Sequence, residues 1–309
     1  MTWLVHIPIL LPVLLLLSAV LWPLARLAAR TGRPERAARA LAAGAMVTAG
    51  SSAVCLILVV ATLADDVPAI ERYGRLSLAN GRPLPEPVPD PVAVAATALL
   101  LWVGWRVAAG LRRRWAVARE LRAAGPVEDG LLVADWDSPR AVAVPPARGR
   151  RGHVLVTSGM LRLLDAHERA AVLAHERAHL WRRHDRTTTL AALATAVNPL
   201  LRPVESAVCL LVERSADEDA ADTVADRRLV AHTIAKVALA AHGPAPALGF
   251  GGSSTLHRVE ALIRPAPDPL RRGGPTVAGA VAVAALSLAV AAVAVVEFVE
   301  LFRAWLPTG

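Results

Sequence analysis

This chain of 309 residues has only two cysteines, Cys55 and Cys209, and Cys55 falls inside a long apolar run. So little cysteine excludes a disulfide framework. Lysine is scarcer still: Lys236 stands alone, and the residue three before it is Thr233, so no Ser-x-x-Lys nucleophile motif exists. Tyr73 is the single tyrosine. No internal repeat is found, and low-complexity character is confined to Ala/Val-rich runs and to Pro/Gly-rich stretches at 83–91, 243–252 and 265–275 that read as loops. The net charge of +8 comes without a recognised nucleic-acid-binding motif, so the basic pI does not predict a nucleic-acid partner.

Hydrophobic residues are what the chain has in excess, at 55% with a mean hydropathy of +0.45, high for a soluble enzyme. They cluster in Leu4–Leu24, Leu41–Ala64, Val92–Leu111 and Val277–Val296, each near the ~20 residues needed to cross a bilayer as helix. Four membrane helices are expected. Trp3 and Trp22 would lie about 29 Å apart on the first, near the two interfaces. That segment has no positive n-region and too long an apolar stretch for a cleaved signal peptide, so it is read as an anchor. Arginines 26, 30, 33, 36 and 39 crowd the first connection, and arginines 106, 112, 113, 114, 119 and 122 surround the end of the third helix. The loop from Asp65 to Asp90 instead holds five acids against three arginines. Short basic loops stay inside. The expected arrangement is therefore a multi-pass plasma-membrane protein with both termini outside, a membrane domain at 1–111, a cytoplasmic domain at 112–272 and a last helix within 273–309.

The chemistry is carried by His175-Glu176-Arg177-Ala178-His179. On a helix, histidines at i and i+4 share a face and can bind one Zn²⁺, with the glutamate beside them as general base. Asp165-Ala166-His167-Glu168 provides a capping box for that helix, and no breaker follows. Downstream, Glu213-Arg214-Ser215-Ala216-Asp217 places two carboxylates on one helical face. A catalytic zinc holds three protein ligands and leaves one position open. His175, His179 and Glu213 are accordingly the expected ligands of one zinc, and Glu176 the base toward a water acidified by the cation. Asp217 is expected to accept a hydrogen bond from the outer ring nitrogen of a ligand histidine. Each element has a plainer reading: paired histidines occur on ordinary helices, and residues 213–222 alone read as a solvated acidic face.

In the order Val156 to Leu161, His175 to His179, His184-Asp185, Asn198-Pro199-Leu200-Leu201 and Glu213 to Asp217, the chain resembles the BlaR/MecR-type membrane metallopeptidases. The resemblance covers roughly Ala141 to Leu262 and is shared in part with the heat-shock and prenyl-protein (CAAX-type) membrane proteases. It implies a gluzincin-type zinc endopeptidase domain facing the cytoplasm, with protein or peptide substrates and a transcriptional repressor among the candidate partners. The antibiotic sensors of that family carry a penicillin-binding domain after the last membrane helix, whereas here the sequence ends soon after its last apolar segment. With Ser-x-x-Lys also absent, β-lactam sensing is not expected. A regulatory antirepressor protease is the preferred function; a membrane quality-control protease and a noncatalytic receptor or scaffold with a relic metal site are the alternatives. Retention of Glu176 beside three ligands argues against the relic.

The fold expected is mainly α, a polytopic membrane protein with four transmembrane helices and an α+β gluzincin-like domain. Leu131–Trp136, Ala141–Val144 and His153–Thr157 predict a small antiparallel sheet, whose edge would hold an extended substrate beside the zinc helix. Thr188–Leu201 is too short for a fifth span and reads as a buried or interfacial helix. For His184 and Asp185, just past the zinc helix, the resemblance implies a structural hydrogen bond rather than a fourth metal ligand. Cys209, one turn before Glu213, is read as a buried packing residue. With Tyr73 expected outside, His257 and Arg258 are the candidates to assist the oxyanion.

Overall fold

The computed structural model describes residues 6–28, 34–61, 90–147, 149–242, 250–264 and 274–305. Trp3, Tyr73 and the acidic loop up to residue 89 lie outside these. Four long helices, α1 (His6–Ala28), α2 (Pro34–Ala61), α3 (Asp90–Ala123) and, at the far end of the chain, α10 (Gly274–Trp305), are long and apolar enough to cross a membrane. They are the four spans expected. Association in a bilayer depends on close packing rather than on apolar transfer. Gly44 of α2 lies so near α10 that a Cβ would sit 3.1 Å from the Ala280 carbonyl oxygen, and a Cβ on Gly279 would meet Leu24 of α1 at 2.7 Å. Across the α2–α10 contact the Thr48 and Ser287 hydroxyls are 3.0 Å apart.

Helix α3 does not stop at the boundary expected after residue 111. Beyond Gly110 its sequence is rich in Arg, Ala and Leu with no breaker, all good helix formers, and the helix continues to Ala123. Its end covers one face of a three-stranded sheet, where Leu121 packs on Leu132, Ala134, Val144 and Leu155. The strands are β1 (Leu131–Ala134), β2 (Ala141–Val144) and β3 (His153–Thr157), in the order β1-β3-β2. The sheet is mixed, not antiparallel: β2 pairs with β3 antiparallel, but β1 pairs with β3 parallel. The reason lies at the end of β3. Thr157 binds the 135–140 loop through its amide to the Arg140 carbonyl and its hydroxyl to the Ser138 carbonyl, and this carries the chain across to the far side of β3. A parallel pair needs a long crossover, and residues 135–152, with β2 inside them, form it.

The other sheet face is covered by α4 (Ser158–Leu163) and α5 (Ala166–Trp181), where Val154 and Val156 meet Met160, Val172 and Leu180. The capping box at the start of α5 has both of its bonds, Asp165 accepting from the Glu168 amide and Glu168 accepting from the Asp165 amide. Glu168 is buried and also accepts from the sole lysine, Lys236, at 2.7 Å. That contact fixes α8 (Arg227–His242) to the N-terminal end of α5.

Between α5 and α8 the chain forms a hairpin: α6 (His184–Val197), a 3₁₀ turn at Pro199–Leu201 and α7 (Arg202–Val224). Its tip is tied to α1, with Asn198 Nδ2 donating to Ser18 Oγ at 2.8 Å and Trp22 Nε1 donating to the Leu200 carbonyl at 2.7 Å. Ser18 lies ten residues before the end of α1, or about 15 Å of helix, so the tip reaches roughly half way along the first span. Ala191, Ala194, Val204, Val208 and Leu211 of the hairpin share one core with α1, α2 and α10. The segment expected to be buried or interfacial is therefore an arm packed against α1, α2 and α10. At its base, Arg182 donates to Glu35 at the start of α2 and in two bonds to Asp219 of α7. Helix α9 (Phe250–Ile263) closes over α7 and α8.

Candidate metal centre

His175 and His179 lie on α5 and turn their Nε2 atoms toward each other at 3.1 Å. From α7, Glu213 brings Oε2 to 3.4 Å from His175 Nε2 and Oε1 to 3.6 Å from His179 Nε2. A tetrahedral zinc with bonds near 2.0–2.2 Å separates its ligand atoms by about 3.3 Å. The three separations fit that spacing, and the donor set of two imidazoles and a carboxylate suits the ion. Among the described residues these three form the one group of acids, histidines or cysteines close enough to hold a metal.

The outer nitrogens are fixed as well. His175 Nδ1 is 3.0 Å from Asp217 Oδ1, on a carboxylate that is almost fully buried. An Nδ1–H donated there leaves Nε2 facing the Glu213 side, the tautomer that metal binding requires. His179 Nδ1 lies 3.0 Å from His184 Nδ1, so the first residue of α6 serves the second histidine in the same way. His184 thus makes the structural contact expected of it, and the spare Nε2 of this buried residue has no partner among the described residues. Behind the acids stands Arg258 of α9. It donates from Nε and Nη2 to the two Asp217 oxygens at 2.8 and 2.7 Å, and its Nη1 is 3.0 Å from Glu213 Oε2. His257, the neighbouring candidate, is exposed and faces Glu260 instead. Cys209 is exposed rather than buried, because it falls on the outer face of α7.

Burial and charge act in opposite directions on these groups. Burial works to lower the His175 pKa, but the Asp217 and Glu213 carboxylates outweigh it and raise the value to about 10. In His179 burial dominates and lowers it to about 4. Burial works to raise Glu213, yet His175 and Arg258 hold it down at about 2. Without metal, His175 is an imidazolium shared between two carboxylates, while His179 is neutral.

Glu176 follows His175 on α5 and turns toward β2, where Oε2 accepts a bond from the Ala143 amide at 2.7 Å. Burial pushes its carboxyl pKa up. No sequence signal marked this contact, because it depends on β2 being an edge strand laid along α5. Together with α8 and Arg258, β2 and α5 line a cleft of about 330 Å³ that contains His175, Glu176 and Glu213.

A family model for peptidase family M48 matches residues 145–207, which span β3, α4, α5, α6 and the start of α7. The matched stretch contains His175, Glu176 and His179; Glu213 and Asp217 lie beyond it. The match supports the M48 metallopeptidases broadly, a family that depends on zinc in general. No curated protein and no solved structure matches the chain.

Proposed function

We propose that this protein is a membrane zinc endopeptidase in which His175, His179 and Glu213 hold the metal and Glu176 moves the proton. The observation that carries the reading is the spacing of the three ligand atoms around one point, with an unliganded carboxylate next to them in a cleft. When bound, the cation would polarise the scissile carbonyl and acidify the attacking water. Glu176 Oε1 takes the proton of that water and returns it to the leaving amine nitrogen, while Oε2 stays anchored on the Ala143 amide. Its raised pKa suits a base working near neutrality. Asp217 and His184 keep the two imidazoles oriented, and Arg258 keeps Asp217 and Glu213 in place. An extended peptide would add to the β2 edge, where backbone hydrogen bonds align the scissile bond.

The finer reading is a BlaR/MecR-type regulatory protease that cleaves a cytoplasmic or membrane-proximal protein such as a transcriptional repressor. It rests on the run of motifs from Val156 to Asp217. Comparing the proteins of cells that carry the wild-type chain with those of cells carrying Glu176→Gln tests both levels. The variant should keep its zinc and lose peptide hydrolysis, and a repressor should persist only in its presence. Undiminished hydrolysis by Glu176→Gln would remove the mechanism; accumulation of damaged membrane proteins instead of a repressor would move the function to quality control.

A further inference from the structure

A second cavity lies away from the metal centre. It is a groove of about 1580 Å³ between α3 and the outer face of the α6–α7 arm. Its level in the bilayer follows from two contacts. Arg114 donates to Thr189 Oγ1 and the Thr188 carbonyl, near the base of α6. The tip of the arm is held at Ser18, roughly half way along the first span. Arg114 therefore marks the interface on the side of the metal centre. Arg106, eight residues earlier on α3, lies about 12 Å deeper, and Arg202 lies at the tip of the arm.

On that placement the groove is a largely apolar furrow within one leaflet, with arginines along its walls. Arg106, Arg113, Arg114, Arg122 and Arg202 line it against two acids, Asp185 and Glu205. Among the described residues no acid pairs with Arg106, Arg113 or Arg202: Arg106 lies over the Trp102 ring at 4.7 Å, and Arg113 meets only the Ala109 carbonyl. Arg106 and Arg202, unpaired at hydrocarbon depth, require a counter-charge that reaches them from within the membrane. An apolar protein segment does not bring one. A phospholipid does, since its phosphate meets the arginines while its chains remain among their own kind. Trp102 and Trp105 are exposed along the same wall, deeper than Arg106, and their rings offer acyl chains an apolar surface.

We propose that this groove is a binding site for an anionic phospholipid of the leaflet on the metal-centre side. Its phosphate is held by Arg106 and Arg202, with Arg113 at the mouth of the groove adding a further positive charge, and its acyl chains lie along Trp102 and Trp105. The site does not depend on the endopeptidase reading, because none of its residues belongs to the metal centre.

Native mass spectrometry of the full-length protein, titrated with phosphatidylglycerol or with phosphatidylcholine of the same chains, tests the site. One phosphatidylglycerol should be retained about tenfold more tightly than phosphatidylcholine. Arg106→Gln with Arg202→Gln should bring the two lipids within about twofold of each other, whereas Arg36→Gln with Arg177→Gln, outside the groove, should leave the preference intact. If the double groove variant is not monodisperse, Arg113→Gln, at an exposed side chain, should show the same loss in smaller measure. Equal retention of both lipids by the wild type, or an unchanged preference in the groove variants, overturns the proposal. Photocrosslinking from p-benzoylphenylalanine at position 109 should yield a lipid adduct; a polypeptide adduct would assign the groove to a protein segment and overturn it equally.

Discussion

Replacing Asp217 with asparagine changes one charge and almost no volume, at a position only 1% exposed. The wild-type carboxylate accepts two bonds from Arg258 and one from His175 Nδ1. Arg258 offers only donors, and so does the amide nitrogen that would replace one carboxylate oxygen. Whichever way the carboxamide is turned, its nitrogen faces a donor, Arg258 Nε in one orientation and His175 Nδ1 in the other, and the bond to His175 loses its charge even where it survives. Loss of the hydrogen bond that orients a metal-ligating histidine typically costs 10- to 100-fold in metal affinity, or about 1.4 to 2.7 kcal/mol. Breaking a buried ion pair by removing one partner costs about 3 to 5 kcal/mol, and the low end is expected here because Glu213 still faces Arg258. Competition with a zinc chelator gives the first quantity and thermal unfolding of the metal-free protein the second. Asp222→Asn, exposed on the same helix, is the charge-matched control and should change neither. Zinc affinity of Asp217→Asn within threefold of wild type would refute the role given to Asp217.

Zinc affinity should rise with pH. Metal-free His175 keeps its ligand proton up to about pH 10, whereas His179 is already neutral above about pH 4, so zinc must displace about one proton throughout that window and the apparent binding constant should gain about tenfold per pH unit. Binding measured between pH 5.5 and 8 that is flat would contradict the charge state assigned to His175. Gly159→Ala should destabilise the fold by about 3 kcal/mol or more, because the added Cβ would lie 1.9 Å from the Asp137 carbonyl oxygen and the 135–140 loop must move, which thermal unfolding reads directly. For topology, in a Cys55→Ala, Cys209→Ala background, an impermeant thiol reagent on intact cells should label Ser77→Cys and not Ser138→Cys; the reverse pattern would place the metal centre outside and exclude a cytoplasmic repressor.

The spans were legible in the sequence because apolar length alone defines them, and the start of the metal-bearing helix because Asp165 and Glu168 close a local box. His175 and His179 were legible for the same reason, since a four-residue spacing needs nothing beyond the helix itself. What could not be read depended on contacts far apart in the chain. Nothing in Leu131–Ala134 says that it pairs parallel to β3, because the pairing is decided by the Thr157 side chain gripping the intervening loop. The attachment of Glu35 to Arg182 spans 147 residues and was hidden among the arginines of the first connection. Arg258 could be suspected of serving the site, but its grip on Asp217 and Glu213 emerges only once α9 folds over α7.

The α6–α7 arm has a practical consequence for anyone wishing to isolate the part of the chain with the candidate metal centre. Val204, Val208, Leu211 and Val212 are fully or almost fully covered, and much of what covers them belongs to α1 and α2. Residues 112–272 expressed alone would bare that stripe to water, and a contiguous apolar surface of this kind drives aggregation. Glu213, proposed as the third ligand, sits at the end of the same stripe, so misfolding there would reach the proposed metal site directly. Excision should therefore yield insoluble or metal-free material, and the two halves are better regarded as one inseparable folding unit in which the portion with the candidate metal centre borrows its interior from the long apolar helices.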